Sequence, residues 1–113
     1  MINPNQINDC IKKASDPSFD FEKTIYQIFA KLTAQGIVVM DCIRKVEESI
    51  IKYVKSEWGN EKIDSKNLMS IIIAQSIYNP HYQKMAKFLN DDENFYLQTS
   101  IIGSISKKLY SVK

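Results

Sequence analysis

FEKTIYQIFAKLTAQGIVVMDCIRKVEESIIKYVKSEW, residues 21–58, decides the fold. Phe21, Ile25, Ile28, Phe29 and Leu32 recur at the spacing of one helix face, and no strand period fits them. Val39, Ile43, Val46, Ile50, Tyr53 and Val54 carry a second stripe almost in phase with the first. Only Gly36 stands between them, with no polar loop around it. If Gly36 adopts a left-handed C-cap, Ile37 packs back on Leu32 and the segment is two helices. If it does not, the segment is one bent helix of roughly 35 residues, about 50 Å long at 1.5 Å per residue. That stripe would outrun the rest of the chain and need a second copy to cover it. A glycine inside a helix costs about 1 kcal/mol relative to alanine, and Ile37 is placed to complete the cap, so two helices are expected. The run Ile37-Val38-Val39-Met40 would also suit a short strand, but the sequence offers it no hairpin partner.

The same sparing punctuation extends outward. There are three glycines in 113 residues, and residues 60–79 hold neither glycine nor proline. Asn3-Pro4 opens a first helix carrying Ile7, Cys10, Ile11 and Ala14, which Ser15-Asp16-Pro17 stops. The 21–32 helix begins near Ser18 to Asp20, and the 39–54 helix closes at Gly59-Asn60 after Trp58. Asp64-Ser65 caps a helix that is apolar on most sides, with Leu68, Met69, Ile71, Ile72, Ile73, Ala74, Ile77 and Tyr78. Such a helix is expected at the centre of the core. Asn79-Pro80 ends it and starts the next, whose face is Tyr82, Met85, Ala86 and Leu89. A turn at Asn90-Asp91-Asp92 leads into the last helix, with Asp91 or Asp92 as its N-cap. That helix holds Phe95, Ile101, Ile102, Ile105, Leu109 and Val112 and is interrupted by Gly103, read as a point of close packing. The expected fold is all-α: a compact bundle of five to six helices forming a single domain over residues 1–113.

Composition narrows the function by exclusion. The formal net charge is +2, and Arg44 is the only arginine. Neither fits a dedicated phosphate or base reader, which usually relies on arginine. Leu32 to Lys45 resembles the tight turn of a helix-turn-helix, but the helix after Gly36 opens Val38-Val39-Met40-Asp41, apolar and acidic where base-reading polar residues belong. Nucleic acid is therefore disfavoured. No apolar run approaches the ~18 residues of a membrane span, so no membrane partner is expected. The N-terminus lacks the basic and apolar regions of a secretory signal, and the expected compartment is the cytoplasm.

Catalytic and metal chemistry find little support. His81 is the single histidine, and CxxC, HxxxH and HExxH spacings are absent. Cys10 and Cys42 fall on apolar stripes, where a thiol serves as a small hydrophobe. Glu47-Glu48 is read as a solvated helix face whose Glu48 pairs with Lys52, as Asp41 does with Lys45. No catalytic residue, cofactor or metal site is expected, and the chain is read as non-enzymatic. The expected function is protein–protein binding by a small cytoplasmic protein, in its sharpest form an inhibitor, immunity-type or anti-defence protein. The candidate partner-binding residues are Trp58, next to a C-cap and charged neighbours, Phe88, out of phase with the apolar face of its helix, and the acidic cluster Asp91, Asp92 and Glu93. The alternatives are a helical nucleic-acid-associated subunit, with Lys45, Lys52, Lys55, Lys62 and Lys66 on one patch, or a secretion chaperone. A monomer is favoured over a homodimer.

Overall fold

The computed structural model describes residue 12, residues 16–59 and residues 65–110. The expected first helix at 3–14, Cys10, the Asp64 cap, Lys62 and Val112 lie outside the described residues. Five helices are described: α1 (Phe21–Ala34), α2 (Val39–Trp58), α3 (Ser65–Tyr78), α4 (Pro80–Ala86) and α5 (Asp91–Tyr110). No strand occurs among the described residues, and the all-α bundle expected from the periodicity is what the chain forms.

The break at Gly36 is the left-handed cap. Gly36 has φ +80°, the Gly36 amide donates to the Thr33 carbonyl at 3.0 Å, and the Ile37 amide donates to the Leu32 carbonyl at 3.1 Å. These are the two bonds of a Schellman motif, and they satisfy carbonyls that the end of α1 would otherwise leave open. Ile37 packs against the core that contains Leu32, and Ile37 and Val38 form the connection rather than a strand. At its start, α1 is capped by the Asp20 carboxylate, which accepts from the Lys23 amide at 3.0 Å.

Asn79 serves two helices at once. Its amide closes α3 on the Gln75 carbonyl at 2.9 Å, and its side-chain Oδ1 accepts from the His81 and Tyr82 amides opening α4. Pro80 fills the first helical position, where no amide is needed. The start of α5 corrects the expected cap. Asn90, not Asp91 or Asp92, caps it: Asn90 Oδ1 accepts from the Glu93 amide at 2.8 Å, and Glu93 Oε1 accepts from the Asn90 amide at 3.0 Å. This reciprocal pair is a capping box, with Asn in the place of the usual Ser or Thr. It leaves Asp91 and Asp92 inside the first turn, where they favour the positive helix end.

The α3 helix is not the best enclosed, as its apolar content suggests; α5 buries far more of itself. It packs against α1, α2 and α3, and buries Phe95, Tyr96, Leu97, Ile101, Ile102 and Ile105. A run of four buried residues, 95–98, shows that α5 is enclosed around its first turns, which a one-sided stripe would not require. In α3, by contrast, only Leu68 and Ile72 are buried among the described side chains, while Ile77 and Tyr78 are exposed. Gly103 is also exposed, and a Cβ built there would meet nothing within 4 Å, so close packing is not the reason for this glycine.

Candidate functional site

Trp58 is the last residue of α2, half-buried, and lies edge-on to Tyr53 with ring centroids 6.1 Å apart. Phe88 follows α4, packs against the core and carries the Lys87 ammonium 5.1 Å from its ring centre. Glu93 is held internally: besides its capping bond, it pairs with Lys31 at 2.8 Å, tying the end of α1 to the start of α5. The five residues singled out from the sequence thus occupy three places: the end of α2, the α4–α5 turn and the start of α5. Trp58 and Phe88 are alike half-buried against the core and keep part of their surface open, whereas Glu93 is engaged in holding the bundle together.

Glu47 departs furthest from the sequence reading. It is buried at 5% exposure on the face of α2 that meets α5, not solvated beside Glu48. Its carboxylate accepts from the Ser104 hydroxyl and from the Lys108 ammonium, the latter at 3.3 Å. A buried carboxylate without donors would be costly, so these partners are a condition of its placement. Since Lys108 is half-exposed and Ser104 is on the same helix, the cluster reads as a polar clamp between α2 and α5. Tyr82 makes a second polar link. Its hydroxyl donates to Asn94 Oδ1 at 3.0 Å, and burial pushes the phenol above its usual range, outweighing the hydrogen bond to Gln98.

The outer face of α2 is organised around Arg44. Arg44 donates to Asp41 at 2.6 Å and to Glu48 at 3.1 Å, and Asp41 also pairs with Lys45 at 3.1 Å. The hydrogen bond from Arg44, then that from Lys45, holds the Asp41 carboxyl below its usual range. Glu48 therefore pairs with Arg44 and not with Lys52 as its spacing suggests. Beyond this network an open cleft of about 570 Å³ lies between α2 and the start of α4, lined by Lys45, Glu48, Ser49, Lys52, Pro80 and His81. Of the five lysines expected on one patch, Lys45 and Lys52 meet in this cleft, while Lys55 and Lys66 are not among its lining residues.

Immediately before the cleft wall, α3 ends in Ile77, 46% exposed, and Tyr78, 80% exposed. Periodicity counted both as core residues. The available signal was the excess itself: a helix apolar on most sides has more apolar surface than two or three neighbours cover. Val38 and Met40, either side of the first residue of α2, are also exposed, as is Tyr26 on α1. Cys42 is buried, as its stripe implies. Among the described residues no group of three His, Cys, Asp or Glu side chains is placed to hold a metal ion, and no helix is long and apolar enough to cross a membrane. No protein-family model, curated protein or solved structure matches the chain.

Proposed function

We propose that this protein works by binding another protein, without catalysis of its own, and that the end of α3 is its contact face. The observation that supports this is the exposure of Tyr78, at 80%, beside Ile77 on the helix richest in apolar residues. Tyrosine brings a large rigid contact area with a hydroxyl that tolerates water, and such residues carry much of the affinity of protein interfaces. The partly open Tyr53–Trp58 pair is a second aromatic surface on α2. The near-neutral charge of +2 argues against imitation of nucleic acid, so within an inhibitor or immunity role the partner would be gripped by shape and apolar contact.

A pull-down from native lysate with the protein and its Ile77→Ala/Tyr78→Ala variant tests the reading. Both side chains are exposed, so the variant keeps its helical circular dichroism. The expected result is a stoichiometric protein partner retained by the original chain and lost by the variant. Equal retention by both would remove the contact face from the end of α3. A homodimer in light scattering that the variant dissolves would show that the face serves a second copy instead.

A further inference from the structure

We propose that the cleft between α2 and the start of α4 receives an extended acidic segment of the partner, with spaced carboxylates on Lys45 and Lys52; this rests on the protein-binding reading above. The charges on this face are sorted in a way that leaves cations available. Glu48, the one acid in the cleft, is held by Arg44, which also takes Asp41. Lys45 is shared with Asp41. Lys52 has no ion pair among the described residues, and Ser49 and His81 line the same cleft as further hydrogen-bonding groups. Three cations, Arg44, Lys45 and Lys52, stand against two carboxylates, Asp41 and Glu48, leaving one positive charge in excess.

The backbone argues against a single phosphate as occupant. Phosphate sites at helix starts depend on free amides, but the His81 and Tyr82 amides are already taken by Asn79 Oδ1 at 2.9 and 3.1 Å. Recognition therefore falls to side chains spread along the cleft. Lys45 and Lys52 share a face of α2 and lie about 10 Å apart along its axis at 1.5 Å per residue. A polyproline II segment turns once in three residues at about 3.1 Å each, so carboxylates at i and i+3 face the same side about 9 Å apart. The two repeats match. Charge pairs at a rim of this kind set orientation and salt dependence more than affinity.

The probe is a fluorescent peptide with Glu at every third position, titrated by anisotropy at low salt against the full chain, Lys52→Glu, and Lys23→Glu on α1. Saturable binding is expected, weakened at least about tenfold by Lys52→Glu and less than about twofold by Lys23→Glu. Absence of saturation up to about 1 mM, or equal weakening by both variants, would overturn the proposal. So would tighter binding of a charge-matched oligothymidine that Lys52→Glu abolishes, which would give the cleft to nucleic acid. If the peptide fails while Ile77→Ala/Tyr78→Ala still abolishes partner capture, the cleft inference falls alone. If capture is also unaffected by that variant, the contact face falls with it.

Discussion

α3 and α5 invert the order that their sequences suggest. α3 is the more apolar of the two, while α5 carries an acidic first turn, a basic last turn and a glycine in its length. Yet although each lies against three other helices, α5 is covered around its first turns and α3 leaves one end of itself in solvent. Apolar content says how much surface a helix could bury. How much of it the helix does bury depends on the neighbours that the fold brings to each face, and these cover the first turns of α5 but not the end of α3. The surplus on α3 then stays exposed, at Ile77 and Tyr78.

Substitutions along the two helices sharpen this contrast. Ile101→Ala on α5 should cost about 3–5 kcal/mol, because the side chain is 1% exposed and its loss leaves a cavity among rigid neighbours. Ile72→Ala on the covered side of α3 should cost about 2–4 kcal/mol. Ile77→Ala, one helix turn further on, should cost less than about 0.5 kcal/mol. Urea denaturation of the three variants checks the series, and a loss at Ile77 equal to that at Ile72 would break the contrast. At Gly36, where φ is +80°, alanine should destabilise by about 1 kcal/mol or more. At Gly103, exposed and helical with open space around it, alanine should stabilise by about 0.5–1 kcal/mol. Thermal melts of both variants read the opposite signs, and destabilisation by Gly103→Ala would restore the idea of close packing there.

The smallest effect belongs to the exposed charges on α2. The folded Asp41 carboxyl titrates below its ordinary value of 3.8 because Arg44 and Lys45 favour its ionised form. A lowered carboxyl contributes stability that is present above the unfolded pKa and is lost as pH falls through the folded one. Carbon-detected NMR titration should place the Asp41 midpoint below 3.8, and Arg44→Gln should raise it.

What was legible in the sequence was whatever local chemistry enforces. The Leu32-Gly36-Ile37 motif and the Asn79-Pro80 junction act within one turn of chain, so residue type and spacing sufficed. The capping box at Asn90 and Glu93 is equally local, but Asp91 and Asp92 beside it are competing cap side chains, and residue type alone does not choose among the three. Glu47 was not legible. Its place depends on Ser104 and Lys108, more than fifty residues away, with |i−j| of 57 and 61. The same reason hides the exposure of Tyr78: Tyr78 and Tyr96 look alike as aromatic residues on helices, and only the tertiary packing makes one exposed and the other buried. The two aromatics chosen from sequence, Trp58 and Phe88, are alike half-buried against the core.

Native-state hydrogen exchange measured by NMR tests the inversion most directly. The account predicts that amides from Phe95 to Ile105 in α5 exchange only through global unfolding, while those near Ile77 and Tyr78 exchange through local opening at lower free energy. Protection that is highest throughout α3 and lower along α5 would contradict it.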